Sequence, residues 1–294
     1  GDIMLAGIPG ELIKRGRDPF APFGEILHSA DFRIGNLECV IATAGMPINK
    51  IYIFRAHLRT LKVLKRHFSA LSLANNHTGD FGTAAFGEML DLLDQAGIRY
   101  FGGGRNLSEA HAPIVLEHNG LRIALLGYDE FLPRSFEAGA DRPGVAWSED
   151  EQVRADIRKA RTQFNADIVI PFMHWGWAGE SSPSQRQREL ARLMIDAGAD
   201  AVVGGHPHVI QGFENYKDRP IFYSLGNFVF TGFNEEVNNT GWLLRLDLDK
   251  HGVQRWKTYV AEIDRYGVPH PSRKRKGYCY ERGQVKEVSC GINP

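Results

Sequence analysis

Apolar and polar positions along the chain follow a scheme that repeats. A short aliphatic run ends in a cluster of polar side chains, and a helical stripe follows. Phe32-Arg33-Ile34-Gly35-Asn36-Leu37-Glu38 alternates with the period of a strand. Asn36 and Glu38 then share one face at its carboxyl end. A helix over about 57–66 carries Leu58, Leu61 and Leu64 on one stripe. The strand Ser69 to Ala74 follows and ends in Asn75-Asn76-His77-Thr78-Gly79-Asp80. Phe86, Met89, Leu90 and Leu93 mark a helix over about 83–95, Ala96-Gly97 caps it, and Ile98 to Phe101 closes a βαβ unit.

The second half repeats the scheme. His118-Asn119-Gly120 joins Val115–Glu117 to Leu121–Leu126 as a hairpin. A helix over about 149–164 leads to the buried strand Ala166 to Met173, which runs into His174-Trp175-Gly176-Trp177. Pro183 opens a helix with Leu190, Leu193, Met194 and Ala197 on one stripe, and Gly198 stops it. Asp200 to Gly204 is a buried strand delivering Gly205-His206-Pro207-His208. Further strands are expected at 209–214, 221–224, 242–249 and 253–263. Near the amino end, Gly1 to Leu5 reads as a strand end, and Asp18-Pro19 starts a helix to about Ser29. Residues 39–54 are an excursion, Gly102-Gly103-Gly104 a tight turn, and 129–148 a long loop. Beyond Tyr266 the chain is polar and basic, with Arg273-Lys274-Arg275-Lys276, and reads as a solvated tail. The expected division is a domain over 1–265 and a tail over 266–294.

Composition narrows the function classes. Across 294 residues, 35 Lys and Arg balance 35 Asp and Glu, so the chain lacks the cationic surplus of a nucleic-acid grip. No segment has the apolar length of a membrane span. Three cysteines do not make a disulfide framework. Cys279 and Cys290 could pair across a short loop, but free thiols are the expected state, which slightly favours the cytoplasm. Cys39 is expected as a packed residue.

The polar strand ends carry the candidate chemistry. Asp2, Asn36, Glu38, Asn76, His77, His174, His206 and His208 leave the ends of at least five strands. Open α/β sheets bind ligands in the crevice beyond those ends. Carboxylate, amide and imidazole together suit one or two divalent cations such as Mn, Zn or Fe. Two cations about 3.5–4 Å apart would clamp a phosphoryl or similar group, with a carboxylate bridging them. Arg55, between Phe54 and Ala56, is a candidate clamp for a carboxylate or phosphate.

In their order along the chain these motifs resemble those of the calcineurin-like metallophosphoesterases. Similarity is greater to the CapA family, named for poly-γ-glutamate capsule synthesis. The resemblance rests on Gly1-Asp2-Ile3-Met4-Leu5, Asn36-Leu37-Glu38, Ser72-Leu73-Ala74-Asn75-Asn76-His77, His174-Trp175-Gly176, Gly205-His206-Pro207-His208-Val209-Ile210-Gln211-Gly212 and Tyr223-Ser224-Leu225-Gly226-Asn227-Phe228. It implies a four-layer α/β/β/α sandwich of the metallophosphoesterase type. It also implies metal ligation by Asp2, Asn76, His174, His206 and His208, and a catalytic role for His77. Glu38 is the choice for the bridging carboxylate. Asn36, like Arg55, is a candidate substrate contact. Two departures stand out: Met4 occupies the place of a phosphoesterase histidine, and Glu180 is displaced from His174-Trp175-Gly176 by Trp177-Ala178-Gly179.

The function these residues imply is a metal-dependent hydrolase. Its substrate would be a phosphoester, or an amide of a polyglutamate-like polymer. The partner is then an anionic polymer or a phosphorylated small molecule, with no nucleic acid. The alternative is a non-catalytic accessory protein of capsule polymer synthesis or export.

Overall fold

The computed structural model describes residues 1–132, 134, 136–283 and 288–289. Two sheets stack face to face. The first is wholly parallel, in the order Asn227–Val229, Asp2–Ile3, Ile34–Leu37, Ala70–Ser72, Arg99–Phe101. The second has the order Ile210–Tyr216, Arg219–Leu225, Val202–Gly205, Ile168–His174, Leu121–Asp129, Ile114–His118. Its four inner strands are parallel and its two edge strands antiparallel.

Strand periodicity divides the aliphatic runs between two cores. Ile123, Leu125, Ile168, Ile170, Ala201 and Val203 point into the space between the sheets, where Phe101, Phe222 and Trp256 join them. Ala124, Leu126, Val169 and Val202 point outward and are covered by Val153 and Ile157 of the helix Asp150–Thr162 and by Leu190 and Met194 of Gln185–Ala197. On the far side, Leu71 and Leu73 are covered by Leu64 and by Phe86, Met89, Leu90 and Leu93 of the helix Gly82–Ala96. Three apolar interfaces separate four layers, α/β/β/α. Burial at each follows from the period of 2 in strands and 3.6 in helices.

Several expected elements differ. The helix expected from Asp18 to Ser29 breaks into a 3-10 turn, Ala21–Phe23, and a short helix, Gly24–His28. Pro22 has no N–H for a helix running through it. The helix Gly7–Lys14 was not expected, because Gly7, Pro9 and Gly10 disguise it. Pro9 lies in its first turn, where no intrahelical donor is needed. Gly103–Gly104 pairs with Gly144–Val145 inside the long loop, so the glycine run is a small ladder. The polar tail is also corrected. Pro269–Pro271 and Tyr278–Glu281 both pair with the long strand Gly252–Ile263, itself paired with Thr240–Asp249. The basic run Arg273 to Lys276 lies exposed in the connection between Pro269–Pro271 and Tyr278–Glu281. Cys279 is disulfide-bonded, against the expectation of free thiols, and Cys290 lies outside the described residues.

Trp175 ties the second sheet together just past the strand Ile168–His174. It is 1% exposed, and its indole N–H donates to the Tyr223 carbonyl at 2.7 Å. Trp175→Phe keeps most of the volume and leaves that carbonyl unpaired. It should cost about 1–3 kcal/mol of stability in urea denaturation; an unchanged midpoint would contradict this account of the strand end.

Candidate functional site

Strand register sets the site. In the first sheet Asp2 pairs with Asn227 on one side and with Asn36 on the other. In the second sheet His174 pairs with Asp129 and with Gly205. The second row closes the carboxyl ends of its strands, and the two polar rows face each other across one edge of the sandwich.

Asp2 is buried. Its Oδ1 accepts from the Asn36 amide at 2.9 Å, and its Oδ2 accepts from the His206 backbone N–H at 3.1 Å. Glycine is required at 205, because a Cβ there would come within 2.5 Å of the Asp2 carboxylate. Asn36 also lies 3.4 Å from His174 Nδ1 and accepts from Asn75 at 3.1 Å. It therefore orients a carboxylate and an imidazole together.

Glu38 follows the strand Ile34–Leu37 and is completely buried. Neither of its carboxylate oxygens has a hydrogen-bond partner among the described residues. Three imidazole nitrogens converge on Oε1 instead: His208 Nε2 at 3.6 Å, His174 Nε2 at 3.8 Å and His77 Nε2 at 3.9 Å. Burial, with Asp2 beside it, holds the Glu38 carboxyl well above the usual range.

The imidazoles are buried too. His174 Nε2 lies 2.8 Å from Asn76 Oδ1 and 3.0 Å from His206 Nδ1. Burial holds both His174 and His206 well below the ordinary histidine value, and neighbouring histidines add to the shift. His206 Nε2 is likewise a buried atom without a partner among the described residues. His208 Nδ1 lies 2.9 Å from Asn227 Oδ1 and 3.6 Å from Asp2 Oδ2. Asn227 donates onward to the Asn238 carbonyl, and Asn238 donates back to the His208 carbonyl, at 2.9 and 3.1 Å. His77 places Nδ1 2.7 Å from Asp80 Oδ2, which turns Nε2 toward Glu38.

Two groups of ligand atoms emerge. Those of Glu38, His174 and His206 lie within 4.8 Å of one another, and so do those of Asp2, Glu38 and His208. Glu38 is common to both. An unpartnered buried carboxylate and an unpartnered imidazole nitrogen are costly alone, and both are natural donors to a divalent cation. The donor set fits such an ion.

Asp2, Asn36, Glu38, Asn76, His77, His174, His206 and His208 thus share one cluster. Arg55 has its partners elsewhere. Its guanidinium lies 3.7 Å above the Phe81 ring and donates to the carbonyls of Thr43 and Gly45 at 3.4 and 3.1 Å. It braces the excursion. Four neighbours were missed. Asp80 and Asn227 lay within motifs already singled out. Asp129 sat beyond the expected end of its strand at Leu126, where Gly127 reads as a stop. Lys50 lies in the excursion, and no pattern marked it.

Burial pushes the Asp129 carboxyl up to about 7. An acid raised on folding is stabilising while protonated, and that stability is lost as pH climbs from the unfolded value near ~4 through the folded one. Chelator-treated Asp129→Asn should therefore be more stable than the parent at pH ~8 and level with it near pH ~4. Equal pH slopes for the two proteins in denaturant melts would refute the assignment.

The family model described as "Bacterial capsule synthesis protein PGA_cap" matches residues 1–232. The capsule biosynthesis protein CapA of Bacillus anthracis is 35% identical over 239 residues, covering 78% of this chain and 58% of that protein. The PGA biosynthesis protein CapA of Bacillus subtilis is 33% identical over 280 residues, covering 93% and 73%. A probable polyglutamine synthesis accessory protein of Mycobacterium tuberculosis is 32% identical over 228 residues, covering 71% and 59%. This chain thus spans less than two thirds of the B. anthracis relative. Among solved structures, a hypothetical protein from Thermus thermophilus superposes with a TM-score of 0.51 at 15% identity, covering 96% of this chain and 97% of that one, a likeness of fold.

Proposed function

The chain belongs to the family of bacterial capsule synthesis proteins of the PGA_cap type, and on that footing we propose that it is a divalent-cation-dependent hydrolase. The substrate is a phosphoester or an amide of a polyglutamate-like polymer. One observation carries this: the buried, unpartnered Glu38 carboxylate that faces three imidazole nitrogens.

Asp2, Glu38, Asn76, His174, His206 and His208 would hold one or two cations, with Glu38 shared. When bound, such an ion supplies Lewis-acid polarisation of a phosphoryl or carbonyl oxygen. The chain's own residues do the rest. Asn36 holds the Asp2 carboxylate and the His174 ring in place. His77, its Nδ1 on Asp80, offers Nε2 to the cluster for proton transfer to a leaving group. Phe54, Phe131 and Phe230 lie against His77, His206 and His208 at 4.2, 4.5 and 4.7 Å between ring centroids and limit water at the imidazoles.

A non-catalytic accessory role in polymer synthesis is the alternative, and Met4 favours it. Met4 is buried in the apolar core, so this place beside Asp2 offers no nitrogen. No helix among the described residues is long and apolar enough to cross a membrane.

Elemental analysis of the purified protein should find about one to two equivalents of Mn, Zn or Fe. Glu38→Gln and His208→Ala should lose metal and at least about 100-fold of aryl phosphate or γ-glutamyl amide hydrolysis. Metal binding competes with protons at its ligands, and burial holds the Glu38 carboxyl well above its usual range, so metal content should fall as pH is lowered while the His174 and His206 imidazoles are still neutral. Metal-free protein that binds polyglutamate and hydrolyses neither substrate would establish the accessory role instead.

A further inference from the structure

One cation stands within the cluster without a part in this scheme. Lys50 lies on the excursion between the short paired strands Val40–Ile41 and Arg55–Ala56. Its ammonium donates to the Asn76 carbonyl at 2.8 Å and to Asp80 Oδ1 at 3.0 Å, and lies 3.2 Å from His77 Nδ1. Its side chain is 25% exposed, whereas that of Asp80 is fully buried.

The contacts around it share one target. Asp80 Oδ2 lies 2.7 Å from His77 Nδ1 and accepts from the Phe54 backbone N–H at 2.8 Å. The Ile48 N–H donates to the Asp80 carbonyl at 3.0 Å. The Phe54 ring lies on the His77 ring, 4.2 Å between centroids at 35°. Residues 48–54 therefore bring an ammonium, two amides and an aromatic face to the Asn76–Asp80 turn. That turn presents two members of the cluster. Asn76 Oδ1 reaches His174, and His77 Nε2 faces Glu38.

An imidazole ring can flip and exchange its two nitrogens unless a partner at one nitrogen holds it. Asp80 is that partner, and a buried carboxylate keeps its orientation only while both oxygens are held. Lys50 and the Phe54 amide hold them. The Asn76 carbonyl, gripped by the same ammonium, sets the backbone from which Asn76 and His77 project.

We propose that Lys50 is a positioning residue. Through Asp80, with its grip on the Asn76 carbonyl fixing the backbone, it locks the His77 ring with Nε2 toward Glu38. Its effect on turnover rests on the hydrolase proposed above; its effect on the ring does not.

The test uses the full chain and two readouts. The first is the downfield imidazole proton resonance of His77 Nδ1, assigned by its loss in Asp80→Asn. Lys50→Met should broaden or abolish this resonance, and Lys50→Arg should keep it. The second is steady-state kinetics on an aryl phosphate. Lys50→Met should lower kcat about 10–100-fold, the range typical of groups that orient a site from behind, with KM and metal content within about twofold of the parent. Lys50→Arg should recover most of the loss. If Lys50→Met does not fold, Lys50→Gln, which keeps one donor, should give a weakened resonance and an intermediate kcat.

An unchanged His77 resonance in both Lys50→Met and Lys50→Gln would overturn the proposal. So would a fall in kcat accompanied by equal falls in metal content and melting temperature, which would reduce Lys50 to a latch for the excursion. A parent protein without turnover whose His77 resonance still disappears in Lys50→Met would retain the positioning role and defeat the hydrolase.

Discussion

A carboxylate with nothing to bond to is the feature on which the rest of this molecule turns. Glu38 is sealed from solvent, and both of its oxygens lack a hydrogen-bond partner among the described residues. Removing an ionised carboxylate from water is so costly that, without compensating charge or donors, the group is driven toward its protonated form, the direction in which burial pushes Glu38. The three imidazoles around it do not compensate, because burial holds His77, His174 and His208 toward their neutral forms. Neutral imidazoles offer lone pairs rather than positive charge. Lone pairs and a carboxylate are satisfied together by a shared cation, and in that sense the cluster has the chemistry of a receptor.

The sandwich makes this possible by register. Parallel strands run in register, so a single edge collects Asn227, Asp2 and Asn36 from one sheet and Asp129, His174 and Gly205 from the other. Small residues then let the rows close. Gly205 admits the Asp2 carboxylate, and Gly204 admits the Tyr223 carbonyl and the Trp175 indole, each of which would clash with a Cβ. Aromatic rings cover the imidazoles from the solvent side. Fold and site are thus one arrangement: the apolar interfaces fix the strands, and the strands deliver the polar ends.

Much of this was legible in the sequence because strand and helix periods are local. The alternation from Phe32 to Glu38, the stripe from Phe86 to Leu93 and the aliphatic run before His174 named their elements directly. The polar residues that follow such runs were legible for the same reason. What could not be read depends on distant contacts. Lys50 follows no period, since its position is set by a turn some thirty residues further along the chain. Arg55 looked like a free clamp, because nothing local announces the Phe81 ring beneath it. The chain beyond Tyr266 looked solvated, because a two-sided sheet edge with one polar face has the composition of a tail.

His206 and His208 adopt left-handed backbone, with φ of 92° and 57°. A side chain with a Cβ loses about 1–2 kcal/mol at such a position. Each substitution there mixes two quantities, the lost ring and the unrelieved torsion. Alanine forfeits the ring and keeps the torsion, whereas glycine forfeits the same ring and lets the chain relax. At these two positions the customary order of helix- and strand-scanning is inverted, and the glycine protein is the fairer blank.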